Sequence, residues 1–222
     1  MKVNYTPMAE HLVRHPPNII FAEKPLKTRV TDKVRDLVIT ILRGAGWANR
    51  VRLQKIAFIT ELEYIENTGR RLTPLRFWSW NFGPYSAELQ DSVLGMTDCI
   101  EVTEHPNPLH PDTRESRIVL KKCNPVGGLS DRDLEFVELQ AGSLRFIKTE
   151  KLIQMSKSHD MFKQTAFREE IKLDDYAERV RRTFEKIDKS KKIASMMDRI
   201  KTEEKVRPGK IYPNCRAFLK SI

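Results

Sequence analysis

Residues 50–67, RVRLQKIAFITELEYIEN, carry apolar side chains on nearly every side of a predicted helix. One face holds Leu53, Ile56, Ala57 and Tyr64, and much of the remainder is covered by Phe58, Ile59, Leu62 and Ile65. Asn49 can cap the start of this helix, and Gly69 can end it. A helix that is apolar nearly all round has to be covered by other elements, so it is expected to lie at the centre of the domain.

The aromatic stretch FWSWNFGPYSAEL, residues 77–89, alternates as a strand does until Gly83-Pro84 stops it. Trp78, Trp80 and Phe82 point to one side, and Phe77, Ser79 and Asn81 point to the other. A stacking platform for nucleic-acid bases needs interleaved Lys or Arg, which this stretch lacks. We therefore expect the side with Trp80 to pack on the central helix as core. Asn81, on the other side, is free to hold the turn or to contact a partner.

The remaining pattern predicts an α+β protein that is mostly α-helical, with a small antiparallel sheet or hairpin and a long C-terminal helix. Predicted helices begin at or after Thr31, Asn49, Pro84, Ser130, Thr149 and Asp174. The strands IEVTEH and SRIVLKK are joined by the proline-rich loop PNPLHPDTRE. The order helix, helix, strand, helix, hairpin is similar to that of a winged helix.

The net charge of +10 is unevenly distributed along the 222 residues. Residues 1–50 carry a net +5 (9 basic, 4 acidic), residues 51–171 a net −2 (16 and 18) and residues 172–222 a net +7 (15 and 8). This division predicts an irregular basic arm over 1–28, one domain over 29–171, and a basic helical extension and tail over 172–222. On the long helix, Arg179, Arg182, Lys186 and Lys189 share a face, which is either solvated surface or the contact for an acidic partner.

No catalytic or metal-binding constellation stands out in the sequence. The nine glycines form neither a P-loop nor a dinucleotide fingerprint, and the five histidines lack metal-ligand spacing. Cys99, Cys123 and Cys215 are odd in number and far apart, which favours reduced thiols over a disulfide framework or a zinc site. We therefore expect no enzymatic activity, cofactor or metal. The chain also lacks a membrane-spanning apolar run and a secretory signal pattern, which predicts a cytoplasmic protein.

Residues 52–93, RLQKIAFITELEYIENTGRRLTPLRFWSWNFGPYSAELQDSV, resemble the Panacea domain, also called SocA-like or phage-associated GepA-like. That family has a Leu-Gln-Lys helix followed by an aromatic segment closing on Trp-x-x-Gly-Pro and a further helix, and a later helix with a Leu, Ser, His series. The matching residues are Leu53, Gln54, Lys55, Trp80, Gly83, Pro84, Leu152, Ser156 and His159. Tyr85 replaces the common aliphatic residue, and Met161-Phe162 replaces the usual Pro-Trp. The resemblance covers about residues 30–170.

The resemblance implies a small, mostly helical domain with a minor sheet and no established catalytic residues. Members of the family are often antitoxins that neutralise varied toxins through protein contact, and one type is a protease adaptor for its toxin. The leading hypothesis is therefore a non-catalytic antitoxin whose partner is a protein.

Two alternatives stay open at this stage. The first is a DNA-binding, winged-helix-like regulator. Its recognition helix, residues 84–96, has no Lys or Arg and would repel phosphates. Only Arg114, Arg117, Lys121 and Lys122 on the predicted hairpin could form a basic wing. The second alternative is a phage or mobile-element protein with an unrelated partner.

Overall fold

The computed structural model describes residues 31–107 and 110–206, with side chains over 31–106 and 114–198. The elements are α1 (Asp32–Ala45), α2 (Arg50–Thr68), β1 (Phe77–Trp78), α3 (Ala87–Gly95), β2 (Ile100–Asn107), β3 (His110–Leu120), α4 (Asp131–Ser143), α5 (Thr149–Ser158), α6 (Asp160–Lys163), β4 (Glu170–Ile171) and α7 (Leu173–Val206). This is an α+β fold that is mostly helical, as the sequence predicts. The predicted arm over 1–28 and the tail beyond 206 lie outside the described residues.

Helix α2 lies at the centre of the domain, as its apolar pattern predicts. Asn49 caps it by accepting a hydrogen bond from the backbone N–H of Arg52 at 2.7 Å, and Gly69 ends it in the left-handed region at φ 66°. Helices α1, α4, α5 and α7 and strand β3 all contact it. Thirteen of its nineteen residues are buried, and they include the polar side chains of Arg52, Gln54, Lys55, Thr60 and Glu61. The apolar core therefore forms around α2, with α1 and α4 packed closely together on it.

The hairpin β2–β3 is longer than the sequence predicts. Residues assigned to the proline-rich loop continue the ladder, with His105 opposite Glu115 and Pro106 opposite Arg114. Within residues 31–107 and 110–206 the sheet has only these two strands, so both are edge strands there, where a proline removes no hydrogen bond from a central ladder. The prediction of a ten-residue loop is therefore wrong, and the irregularity is confined to a register shift after Pro106.

Strand β1 does not join the hairpin. It pairs antiparallel with β4, with Phe77 opposite Ile171 and Trp78 opposite Glu170. The hairpin is instead attached to the helices by an isolated bridge between Ala48 and Ile118. The winged-helix order of elements is present, but the pairing of β1 with β4 places the aromatic stretch beside the segment that precedes α7.

Helix α3 begins three residues later than its proline suggests. Tyr85 is bound to Trp78 by two backbone hydrogen bonds of 2.8 and 3.0 Å, which keep it extended. Ser86 is the N-cap and accepts a hydrogen bond from the Leu89 backbone N–H at 3.3 Å. Pro84 therefore lies in the turn before the helix rather than in its first turn.

Among the described side chains of α7, those of the first turns pack on the domain. Leu173 and Ala177 are buried there, and Tyr176 and Val180 are partly buried against the core. From 185 to 198 every side chain is exposed, including Ile187 and Ile193. The sequence of this helix carries an apolar stripe, Tyr176, Val180, Phe184, Ile187 and Ala194, which predicts that it docks on the domain. That prediction is wrong for the distal half. In the part of the chain that the structure describes, no helix combines the length and apolarity needed to cross a membrane.

Candidate partner-binding surface

The aromatic stretch faces the opposite way from the prediction. Phe77 is 0% exposed and packs its ring edge-to-face on Phe58 of α2, with the centroids 5.2 Å apart. Trp78 and Trp80 are only partly buried, and Phe82 is 56% exposed. The prediction that the side with Trp80 forms core is therefore wrong. Alternation shows that a strand has two different sides, but the pairing of β1 with β4 decides which side meets α2.

Two consecutive residues of α2 hold the turn that follows the aromatic stretch. The Lys55 Nζ donates to the Pro84 carbonyl oxygen at 2.6 Å. The Gln54 side-chain amide donates to the Ser86 carbonyl and accepts from the Ser86 N–H, both at 2.8 Å. Leu53 is buried in the apolar core beside them. The Leu-Gln-Lys part of the family motif thus contacts the Gly-Pro part through buried hydrogen bonds.

Gly83 is required by the shape of this turn. Its N–H donates to the Trp80 carbonyl at 2.9 Å, which places Asn81 and Phe82 at the exposed corner positions. Its φ is 87°, a region that side chains disfavour. A Cβ at this position would lie 3.0 Å from Ser156 Oγ and 3.3 Å from Lys55 Cε. The turn therefore approaches α2 and α5 so closely that a Cβ at this position would require its neighbours to shift by a few tenths of an ångström.

Lys55 is a buried cation whose hydrogen-bond partner is a neutral carbonyl. Burial, followed by the positive charge of Lys157, lowers the pKa of Lys55 to about 7. Near neutral pH this amine is therefore close to losing its proton, and the neutral amine still donates to Pro84. The motif lysine stabilises the turn by a hydrogen bond that does not require its charge.

An exposed aromatic and cationic surface lies beside this turn. We name it the aromatic corner and define it by Trp80, Phe82, Phe167 and Arg168. The Trp80 and Phe167 rings lie 5.3 Å apart, and the Arg168 guanidinium carbon lies 5.4 Å from the first ring and 5.2 Å from the second. Phe167 is 50% exposed. Large rings and a guanidinium are therefore open to solvent at one site.

Backbone hydrogen bonds fix the aromatic corner. Ser79 donates its N–H to the Glu169 carbonyl and accepts from the Arg168 N–H, each at 2.8 Å. Arg168 is the one non-glycine residue with positive φ, 69°, in the described part of the chain. Such a conformation costs about 1–2 kcal/mol and persists where the surroundings hold it. The backbone hydrogen bonds hold Arg168 in this conformation, in which its guanidinium lies over both rings and remains exposed to solvent.

His159 lies at the junction of three helices. It caps α6, with Nδ1 accepting from the Met161 N–H at 3.2 Å, and its Nε2 lies 3.0 Å from Glu66 Oε1. Tyr176 of α7 donates its hydroxyl to the same oxygen at 2.7 Å and packs edge-to-face on the imidazole. Burial, and then this hydrogen bond, raise the pKa of the Tyr176 hydroxyl. The histidine of the second family region thus connects α2, α6 and α7.

The predicted basic face of α7 is not uniform. Arg179 lies over the Tyr176 ring at 5.6 Å, and Arg182 donates from Nε to Glu178 at 2.9 Å. Lys186 and Lys189 are exposed on the distal half. Two of the four predicted cations are therefore engaged within the protein, and the other two face water.

Sequence reasoning missed Phe167 and Arg168. They follow α6 in a segment that carries no period, and they reach Trp80 only because residues 168 and 169 hydrogen-bond to Ser79. No local pattern signals that pairing. By contrast, the structure brings Leu53, Gln54, Lys55, Gly83 and Pro84 together, as their shared motif suggests.

The cysteine prediction needs a correction. Cys99 and Cys123 are joined by a disulfide, with their Cα atoms 5.3 Å apart. They are 24 residues apart in sequence, but the hairpin between them returns the chain to its starting point. Reduced, separate thiols were therefore the wrong expectation for this pair, while Cys215 lies outside the described residues.

A mostly helical α+β domain, with a glycine-proline turn held on a central helix and an exposed aromatic corner, defines the class of the protein. The chain belongs to the family described as antitoxin SocA-like, Panacea domain, whose family model matches residues 53–163, half of the chain. The matched span includes Trp80 and His159 and ends before Phe167. No curated protein and no solved structure matches the chain.

Proposed function

We propose that this protein is a cytoplasmic, non-catalytic antitoxin that neutralises a cognate toxin by direct contact, and that the aromatic corner supplies the central part of that contact. The observation that carries the proposal is the exposure of Phe82 and Phe167 beside Trp80 and Arg168, on a turn built by the family motif. Family membership supports a protein partner in general.

The composition of the corner suits a binding hot spot. Trp and Arg are enriched among residues whose truncation weakens protein complexes most, and aromatic side chains supply large contact areas with little loss of side-chain freedom. Burying a Phe side chain contributes roughly 1.5–3 kcal/mol. Phe82 and Phe167 are each at least half exposed in the free protein, so a complex can bury the apolar surface of both rings.

The corner is also held in place before any partner binds. The Lys55–Pro84 and Gln54–Ser86 hydrogen bonds fix one side of it, and the Ser79–Arg168 pairing fixes the other. A surface that is already ordered loses less conformational entropy on association, which raises affinity for a given contact area.

The basic face of α7 fits a secondary role in this proposal. Lys186 and Lys189 are exposed on α7, whose described side chains from 185 to 198 all lie at the surface. Complementary charge mainly accelerates association and sets orientation. We propose that the face, with Arg179 and Arg182 at its domain end, steers an acidic surface of the toxin. Asn81, exposed at the turn, is proposed to lie at the rim of the contact.

The test begins with the product of the neighbouring reading frame. Expressed alone from an inducible promoter, that product is expected to arrest growth, and co-expression of this protein is expected to restore it. The two purified proteins should then elute together in size-exclusion chromatography. Growth arrest that persists with this protein present and folded would contradict the antitoxin function.

DNA binding gains no support from the described residues. The α3 helix carries Glu88 and Asp91 and no basic residue. On the hairpin, Arg117 lies over the Trp47 ring at 5.6 Å, and Lys121 donates to the Thr97 carbonyl at 2.9 Å. We expect the domain over residues 30–170 alone to show no sequence-selective DNA binding at physiological salt, which a fluorescence anisotropy titration checks. A role with another phage or mobile-element partner stays an untested alternative.

A further inference from the structure

The hairpin closes on a pair of cysteines. Cys99 comes directly before β2, and Cys123 comes three residues after β3 ends. Because Ile100 pairs with Leu120 and the Lys121 N–H donates to the Cys99 carbonyl at 2.8 Å, the two cysteines meet at the base of the hairpin. Their Cα separation of 5.3 Å lies within the range of protein disulfides. The backbone can therefore hold both sulfurs together without rearranging.

Arg35 of α1 points its guanidinium at both sulfurs. Its Nη2 lies 2.8 Å from Cys99 Sγ and 3.8 Å from Cys123 Sγ, and 2.5 Å from Asp98 Oδ2. Its Nε is buried without a hydrogen-bond partner. A fixed positive charge beside a cysteine favours the thiolate, which is the nucleophilic form. The sulfurs of a disulfide carry no charge, so Arg35 stabilises the reduced pair more than the oxidised one.

The other charges around the pair reinforce this effect. Arg43 of α1 lies 3.5 Å from the Cys123 carbonyl, and Lys121 and Lys122 precede Cys123 in the chain. Asp98 is the one acidic neighbour that contacts Arg35 among the described side chains, and it is exposed to water. Asp98 Oδ2 also lies 3.6 Å from Cys99 Sγ, but Arg35 Nη2 is closer to that sulfur, at 2.8 Å, and pairs with the same carboxylate. The nearest charge to the sulfurs is therefore positive, which favours thiolates when the pair is reduced.

We propose that Cys99 and Cys123 are a reversible, oxidant-responsive dithiol whose thiolates are stabilised by Arg35. Cys99 is buried and Cys123 is partly exposed, so Cys123 meets a hydroperoxide first. Its thiolate attacks the peroxide oxygen: a sulfur–oxygen bond forms, the oxygen–oxygen bond breaks, and hydroxide or alkoxide leaves. The Cys99 thiolate then attacks the sulfenic sulfur, forming the disulfide and releasing hydroxide. Two electrons pass from the two sulfurs to the peroxide, and a small dithiol reverses the reaction.

A bound metal ion is the competing use of the same atoms. Ligand atoms of Asp98, Cys99 and Cys123 lie within 4.8 Å of one another. The Arg35 guanidinium, however, contacts the carboxylate and both sulfurs, so a cation would have to displace a residue of the same charge. The arrangement therefore favours redox chemistry over metal binding.

The experiment uses the full chain with Cys215→Ser, reduced with dithiothreitol and then freed of reductant. The rate of iodoacetamide alkylation at Cys123 is measured by peptide mass spectrometry as a function of pH. The pH at which this rate is half-maximal should lie at least about one unit below the usual thiol pKa of about 8.5. Adding hydrogen peroxide should form the Cys99–Cys123 disulfide, and in the Cys99→Ser variant it should leave a sulfenic acid at Cys123 that dimedone traps.

Arg35→Gln should move the alkylation midpoint up by about one unit or more, and Arg35→Lys should restore part of the shift. Arg43→Gln removes a cation that contacts the Cys123 carbonyl rather than a sulfur, and as the matched control it should move the midpoint by much less than Arg35→Gln. A wild-type midpoint at or above about 8.5 would overturn the proposal, whether or not the Arg35 variants fold. So would zinc that copurifies in one-to-one ratio and blocks alkylation until a chelator removes it.

Discussion

The aromatic corner and the distal half of α7 are both exposed, but they are built in opposite ways. The corner is assembled from segments near residues 80 and 167 that are distant in sequence, and buried hydrogen bonds from Lys55 and Gln54 hold the turn beside it. The distal half of α7 is one continuous helix whose side chains from 185 to 198 all face water. The first surface depends on the fold, whereas the second depends on local helix formation and charge.

This difference separates the residues that build a site from those that bind. Gln54, Lys55, Gly83 and Pro84 belong to the family motif, and all four are buried. Phe167 and Arg168, by contrast, lie outside the matched span, and Phe167 is exposed. A motif that fixes a turn, with contact residues outside the matched span, would let one fold present different contact surfaces.

The largest expected effect concerns the two sides of the aromatic stretch. Phe77→Ala should destabilise the protein by ~3–5 kcal/mol, because it opens a cavity against Phe58. Trp80→Ala should cost less than about 2 kcal/mol, because Trp80 is only partly buried. Urea unfolding followed by circular dichroism measures both. Equal losses for the two variants would mean that the side with Trp80 is core after all.

Lys55 should make stability depend on pH. Its pKa in the folded protein is about 7, against 10.5 for a free lysine side chain, so between these values the unfolded chain binds more protons. Stability should therefore rise with pH in this window, by up to roughly 1.4 kcal/mol per pH unit, and the contribution should be constant below it. Urea unfolding of wild type and Lys55→Met from about pH 7 to 9 isolates this slope. Parallel profiles for the two proteins would refute it.

Gly83 tests how closely the turn approaches the domain. Gly83→Ala should cost about 1–2 kcal/mol for its positive φ and an additional amount for the contact with Ser156. Gly127→Ala is the matched control, since its φ is 91° but a Cβ there meets nothing within 4 Å. We expect the Gly83 variant to unfold at a clearly lower urea concentration than the Gly127 variant. Indistinguishable midpoints would show that the close approach contributes nothing.

The smallest effect on folding is expected for the basic face of α7. Replacing Arg179, Arg182, Lys186 and Lys189 by Gln should change the free energy of unfolding by less than about 1 kcal/mol, since the ion pair of Arg182 with Glu178 is exposed. If the face steers the toxin, association should slow and lose its salt dependence in stopped-flow measurements. An association rate that matches wild type at every salt concentration would show that these residues are solvated surface and take no part in binding.

The central helix could be predicted from the sequence because its signal is local: Asn49, Gly69 and the apolar residues between them suffice to define α2. The family resemblance singled out the Leu-Gln-Lys and Gly-Pro residues, which the structure shows in contact. Sequence reasoning placed Trp80 on the wrong side because the orientation of β1 is set by Glu170 and Ile171, almost a hundred residues away. It missed the Cys99–Cys123 disulfide because the cysteines were judged by their spacing along the chain, although the predicted hairpin already places Cys99 before its first strand and Cys123 after its second.

The most direct test of the central claim is the affinity of the neighbouring reading frame's product for two matched double variants. Phe82→Ser with Phe167→Ser removes the exposed rings of the aromatic corner. Leu139→Ser with Phe146→Ser removes apolar side chains that are 69% and 89% exposed at α4 and just after it. By isothermal titration calorimetry, the corner variant should bind about 100-fold more weakly or worse, and the control should stay within about threefold of wild type. Wild-type affinity in a folded corner variant would contradict the account.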